Sequence, residues 1–108
     1  MDKIIEKELT QEEEEEIAEK LVEEHWKVLE AVLLAVKEYD SYYENRPFTK
    51  ESIEYIIEEW LAVRDDNDPN DPAAKINAVL ENLSSKAISH FNYCIYWKFA
   101  DEYPEYVD

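Results

Sequence analysis

Glycine is absent from this chain of 108 residues. The tightest β-hairpin turns need positive φ, which glycine adopts most readily, and loops that wrap around phosphate groups are built from it as well. Both structures are therefore disfavoured, and chain reversals are left to proline, asparagine and aspartate. The composition favours an all-α fold over any β-sheet.

Residues 11–44 form the longest predicted helix. Thr10 is suited to cap its N-terminus, and Glu13 three residues later completes a capping box. Asp40-Ser41 is a candidate break, and Asn45-Arg46-Pro47 ends the helix. Apolar residues recur through it at helical spacing and predict a stripe that faces the core: Ile17, Leu21, Val28, Val32, Ala35 and Tyr39.

Two further helices are predicted, over residues 50–64 and 72–100. Thr49 caps the first, and Asp71 caps the second with Pro72 at its first position. Ser84-Ser85 is a point at which the last helix would divide. We therefore expect an antiparallel bundle of three helices, or four, with a long first helix. Residues 1–108 form a single acidic helical domain, in which 1–9 and 101–108 are candidate flexible ends.

The first helix carries a second apolar face. Trp26, Leu33 and Leu34 lie roughly opposite the predicted stripe, whereas a three-helix bundle needs only one stripe on each helix. This second face is expected to be covered by helices on both sides, by the C-terminal tail, or by another copy of the chain in a homodimer.

The net charge limits the partners. Asp and Glu number 28 against 11 Lys and Arg, which gives −17 with both histidines neutral. Binding to nucleic acids depends on lysine and arginine, so direct nucleic-acid binding is not expected, and docking to anionic membranes is disfavoured. The charge favours basic protein partners or cations.

The chain is expected to act in a reducing compartment. Cys94 is the single cysteine, so an intrachain disulfide is excluded, and its simplest role is that of a small core residue. The N-terminus has no secretory pattern, and no apolar run approaches the ~20 residues of a membrane span. We expect a cytoplasmic location, in the host cell if the chain is virus-encoded.

No sequence motif indicates a metal, a cofactor or a catalytic centre. Asp66, Asp68 and Asn70 begin like a calcium loop, but Asp71 stands where glycine is required, so a solvated capping loop is the simpler interpretation. His25 and His90 lie outside the usual ligand patterns and are expected on helix flanks. Pairs such as Glu12 and Glu15 leave a metal-dependent nucleotide hydrolase as an alternative, although a run of five glutamates creates this spacing by chance. We expect a protein without cofactors that is not an enzyme.

The acidic residues of the first helix are the main candidate binding site. On a continuous helix, one face within about 100° carries six glutamates and a tryptophan: Glu12, Glu15, Glu16, Glu19, Glu23, Trp26 and Glu30. Steps of three or four residues are about 5–6 Å along a helix, the same scale as phosphate spacing along a nucleic-acid strand. Such a row would suit a basic groove built for DNA or RNA, and the loop acids would extend it: Asp65, Asp66 and Asp68.

Aromatic residues near the helix ends provide an alternative binding surface. Tyrosine and tryptophan are enriched at interface hot spots, although packing is their more common role. Asp40-Ser41-Tyr42-Tyr43 resembles the acidic residue and tyrosine pair of the helical immunity proteins that block nuclease toxins, except that proline does not follow the tyrosines directly. The alternative function is therefore an antitoxin-type, immunity-type or chaperone-like protein. Its surface would include Tyr39, Tyr42, Tyr43, Tyr93, Tyr96 and Trp97.

In size, charge and helicity the chain resembles the small acidic DNA-mimic inhibitors that phages and mobile elements encode, including anti-restriction and anti-CRISPR proteins. That class arises by convergence and shares no motif, so the resemblance transfers no residue roles. It implies a non-enzymatic inhibitor or regulator that binds a basic nucleic-acid-binding protein or nuclease.

Overall fold

The structure, a computed structural model, describes residues 9–108 and shows an all-α protein. Its elements are α1 (Gln11–Glu24), α2 (Trp26–Tyr39), α3 (Ser41–Glu44), α4 (Lys50–Ala62), α5 (Pro72–Leu80), α6 (Ser85–Glu102) and a 3₁₀ turn (Pro104–Tyr106). The all-α prediction is confirmed, and the helical arrangement is compatible with a bundle. The predicted flexible end at residues 1–9 lies outside the described residues except for Leu9.

Local hydrogen bonds start the helices where the sequence predicts. The Thr10 hydroxyl accepts a hydrogen bond from the Glu13 amide at 3.1 Å, while Glu13 Oε1 accepts one from the Thr10 amide at 2.8 Å. Thr49 caps α4 through Ser52 in the same reciprocal way, and Asp71 caps α5. These contacts join residues two or three apart, so their sequence pattern alone specifies them.

The predicted first helix is divided twice. At Asp40 the carboxylate accepts a hydrogen bond from the Tyr42 amide at 2.9 Å, which competes with helix continuation and starts α3. The second break, at His25, was not predicted. Its backbone leaves the helical region at φ −112° and ψ 17°, and α2 begins at Trp26 without a side-chain cap. The predicted last helix also divides, at Ser84, which caps α6.

Helix α6 is at the centre of the packing, with α1 and α4 against it. Successive contacts join Glu14 to Ser84 and Glu19 to His90, so α1 runs parallel to α6. Helix α4 runs antiparallel to α6, because Lys50 lies over the Tyr93 ring while Leu61 lies beside Ile88. The largest fully buried side chains of the shared core are Phe48, Phe91, Phe99, Leu29 and Leu33.

The predicted core stripe of the first helix is right at Leu21 and wrong at Ala35 and Tyr39. Tyr39 is 80% exposed and Ala35 is also exposed, whereas Leu33, placed on the second face, is 0% exposed. The buried residues are Ala18, Leu21 and Val22 on α1 and Leu29 and Leu33 on α2, so the core takes Leu21 from the predicted stripe and Leu33 from the second face. Both stripes are apolar and both contribute to the core, Leu21 and Val32 from the predicted one, so periodicity alone could not choose between them. Trp26 and Leu34 are partly buried against the same core, so the second face is covered within the chain.

The C-terminal segment, a candidate flexible end, packs on the core. The Phe48 amide donates to the Tyr106 carbonyl at 2.8 Å, and the Asp108 amide donates to the Phe48 carbonyl at 2.9 Å. The Tyr103 and Tyr106 rings stack at 5.7 Å between centroids, beside Phe99. Residues 103–108 therefore cover the end of the core around Phe48.

Candidate protein-binding surface and its seam with the last helix

The predicted acidic row does not lie opposite the core. Glu19 contacts His90 on α6 and Glu30 contacts Tyr103 directly after it, so the row borders the seam between α1–α2 and α6. Glu12, Glu16 and Glu23 are exposed. Among residues 9–108, no hydrogen bond or ion pair engages these three carboxylates. Of the other residues of the row, Glu15 accepts a hydrogen bond within α1, whereas Glu19, Trp26 and Glu30 contact neighbouring elements.

The five consecutive glutamates have different surroundings. Glu13 forms the capping box with Thr10. Glu14 Oε1 accepts a hydrogen bond from the Ser84 amide at 2.7 Å, and Glu15 Oε2 accepts one from the Gln11 amide group at 2.7 Å. The run therefore serves helix capping and the α1–α6 seam, in addition to presenting charge.

Further along the seam, Glu19 meets two side chains of α6. His90 Nε2 lies 2.7 Å from Glu19 Oε2, and the ligand atoms of Glu19, His90 and Cys94 all lie within 4.8 Å of one another. Burial raises the pKa of the Cys94 thiol, and the carboxylates of Glu19 and Glu15 raise it further because they disfavour a thiolate. Sequence reasoning placed Glu19 on a free face and found no ligand pattern at His90.

Trp26 and Glu30 also contact the end of α6. The Lys98 ammonium lies 5.4 Å from the Trp26 ring centroid, and the indole Nε1 is buried without a hydrogen-bond partner among the described residues. The Tyr103 hydroxyl donates a hydrogen bond of 2.8 Å to Glu30 Oε2. This bond raises the pKa of Tyr103 to about 12, with smaller contributions from desolvation and nearby charges. Both residues of the predicted row thus hold α2 against the C-terminal part of the chain.

The predicted loop acids are exposed but internally hydrogen-bonded. Asp65 accepts from the Asn67 amide at 3.0 Å, Asp68 accepts from the Asn70 amide at 2.9 Å, and Asp66 pairs with Arg64 at 2.9 Å. Short polar side chains that bond to amides two residues ahead stabilise turns. The loop is built as a series of capped turns, and its carboxylates remain accessible at the surface.

Several aromatic side chains are also exposed. Tyr39, Tyr42 and Tyr55 are 80%, 57% and 59% exposed. On α6, Tyr93 and Trp97 are also exposed, with their ring centroids 6.0 Å apart. Tyrosine and tryptophan are enriched at the hot spots of protein interfaces, so these rings are candidate contact residues.

The spacing of the seam residues in the sequence indicates which of them share a helix face. His90 and Cys94 are four positions apart on one helix, as are Glu15 and Glu19 on another, and this spacing places side chains on the same face. The pairing between the two helices spans 71 positions, so only the three-dimensional packing brings them together.

Comparison with known proteins gives no match to a family model, a curated protein or a solved structure. Among residues 9–108, no helix combines the length and apolar character that crossing a membrane requires.

Proposed function

We propose that this protein is a non-enzymatic acidic inhibitor or regulator that binds a basic nucleic-acid-binding protein. The observation that carries the proposal is the exposed set of Glu12, Glu16 and Glu23 on α1, in a chain with net charge −17. At about 100° per residue these three carboxylates fall within about 40° of one another, so one partner surface can meet all three.

The position of the three glutamates suits recognition by a groove that normally binds a polyanion. They project from a helix held by its buried face, so they present charge at fixed spacings of about 6 Å and about 10 Å. The pre-organised helix avoids much of the ordering cost that a disordered acidic tail would carry on binding. Long-range attraction between the two charged proteins makes association fast and sensitive to salt.

The test compares three forms of the full chain. One is wild type. The second combines Glu12→Lys, Glu16→Lys and Glu23→Lys on α1. The third is a matched control in which three exposed glutamates of α4 are changed: Glu51→Lys, Glu58→Lys and Glu59→Lys. Both variants reduce the negative charge equally, so a difference between them reports position and not total charge.

Each form is used to capture proteins from a nuclease-treated lysate of the source cell, and the captured protein is then purified. Displacement of labelled duplex DNA from that protein is measured at about 50 and about 200 mM salt. We expect wild type to displace the duplex with an affinity that falls as salt rises. The α1 variant should bind at least about tenfold more weakly, a loss of about 1.4 kcal/mol, while the α4 variant binds like wild type. A captured protein without affinity for nucleic acids, or equal losses in both variants, contradicts the proposal.

A second candidate function is protein binding through the tyrosine surface, of the antitoxin, immunity or chaperone kind. The exposed fraction of 80% at Tyr39, beside Tyr42 and Asp40, favours it. In the same assay, Tyr39→Ser combined with Tyr42→Ser would abolish capture, and the α1 charge variant would have little effect.

A further inference from the structure

We infer that the seam between α1 and α6 contains a Zn²⁺ site formed by Glu19, His90 and Cys94. The carboxylate, imidazole and thiol come from two helices, and their ligand atoms lie within 4.8 Å of one another. This inference is independent of the proposed function, whose test changes none of the three residues.

The distances suit a tetrahedral ion after small side-chain movements. Bonds of about 2.0–2.3 Å from zinc to oxygen, nitrogen and sulfur place two ligands of a tetrahedral ion about 3.3–3.7 Å apart. His90 Nε2 and Glu19 Oε2 are closer, at 2.7 Å, because a hydrogen bond joins them. An ion between them takes the place of the hydrogen-bonding proton, and rotations of the side chains, above all of the exposed Glu19, supply the remaining adjustment.

The mixture of ligands selects the metal. Calcium and magnesium take oxygen ligands almost alone, whereas thiolate and imidazole together favour zinc or a related transition metal. The carboxylate and thiolate also neutralise both charges of the ion. A water molecule completes four-coordination, as in zinc sites with three protein ligands.

The backbone presents the ligands from rigid positions. His90 and Cys94 are one helical turn apart within α6, and Glu19 lies in the middle of α1. The His90 ring also stacks against Tyr93, with centroids 6.2 Å apart and an interplanar angle of 21°, which limits its orientation. The opening beside His90 is lined by Lys50 and Lys86 as well as Glu15. Because these residues carry both signs of charge, they do not strongly attract a cation. The affinity for zinc must therefore come from its bonds to the three ligands.

The simpler interpretation of the same geometry is a histidine–glutamate ion pair beside a core cysteine. The ion pair does not involve the sulfur of Cys94, whereas a zinc site requires the sulfur as a ligand. A measurement that reports the sulfur therefore separates the two interpretations.

The experiment titrates Co²⁺, a spectroscopic substitute for zinc, into the chelator-treated full chain. We expect one equivalent to bind with the visible bands of tetrahedral cobalt and a thiolate-to-cobalt absorption in the near ultraviolet, and Zn²⁺ to displace it. Cys94→Ser should remove the near-ultraviolet absorption, and Glu19→Gln and His90→Gln should each weaken binding at least about tenfold. His25→Gln, which changes the other histidine, should bind like wild type.

Stability gives a second readout. Zinc at about one hundred times its dissociation constant should raise the folding equilibrium constant about a hundredfold, while Ca²⁺ and Mg²⁺ should give no comparable increase. The inference is overturned if wild type shows no thiolate-to-cobalt absorption. It is also overturned if folded His90→Gln and Glu19→Gln variants bind cobalt as tightly as wild type.

Discussion

Tyr103 and Glu30, 73 positions apart in the chain, are joined by a hydrogen bond of 2.8 Å between the phenolic hydroxyl and a carboxylate oxygen. The bond links the C-terminal segment to α2, beside the stacked Tyr106 ring. A carboxylate that the helical wheel places on the free face is thus part of the contact that holds the end of the chain.

This hydrogen bond predicts the titration of Tyr103. Its pKa is raised from 10.0 to about 12, because ionisation would break the bond and place two negative charges together. The folded-state pKa lies above the unfolded one, so the contribution to stability is complete below pH 10.0 and is lost as pH rises towards about 12. Tyrosine ¹³Cζ NMR should show the late titration. Glu30→Gln should move the pKa back towards 10.0 and Glu105→Gln should not. An unchanged Tyr103 pKa in Glu30→Gln would contradict this origin.

The choice between the two apolar stripes of the first helix predicts a pair of stability changes. Leu33→Ala should lower the free energy of unfolding by about 2–5 kcal/mol, because it leaves a cavity in the core. Tyr39→Ala should change it by only about 0.5 kcal/mol or less, because its side chain is 80% exposed. Urea denaturation of both variants measures the difference. A larger loss in the free energy of unfolding for Tyr39→Ala than for Leu33→Ala would instead favour the predicted stripe through Val32 and Tyr39.

These cases show which structural features the sequence can predict. Helix starts at Thr10, Thr49 and Asp71 depend on hydrogen bonds between near neighbours, so their patterns identify them. The buried face of the first helix depends on competition between two apolar stripes, which the surrounding helices decide. The approach of Glu19 to His90 depends on packing across 71 positions, and no local pattern reports it.

The division at Ser84 predicts a measurable capping effect. Its hydroxyl accepts a hydrogen bond from the Ala87 amide at 3.2 Å at the start of α6. Ser84→Ala should lower the free energy of unfolding by about 1 kcal/mol. Ser89→Ala is the control, because that exposed serine lies within the same helix. Equal effects of both substitutions in urea denaturation would show that the loss is not due to capping.

The contacts of the Lys37 side chain predict that it stabilises the fold. Its ammonium group donates hydrogen bonds to the carbonyl oxygens of Tyr43 at 3.0 Å and Arg46 at 2.9 Å, and it lies 5.3 Å from the Tyr106 ring centroid. One cation thus holds the segment after α3 and faces the C-terminal turn. Hydrogen bonds to a charged group contribute about 1.5–3 kcal/mol, and part of this is lost to solvation at a half-exposed site.

Lys37→Met, which keeps most of the aliphatic stem, should therefore lower the free energy of unfolding by about 1–2 kcal/mol. Lys27→Met provides the matched control, since it removes the same charge from an exposed position of α2 and should have a much smaller effect. Urea denaturation compares the two, and hydrogen exchange at the Phe48 and Asp108 amides reports the local loss, because both hydrogen-bond at this end of the core. Equal destabilisation by the two variants would attribute the loss to net charge, since removing either lysine makes an already acidic chain more negative.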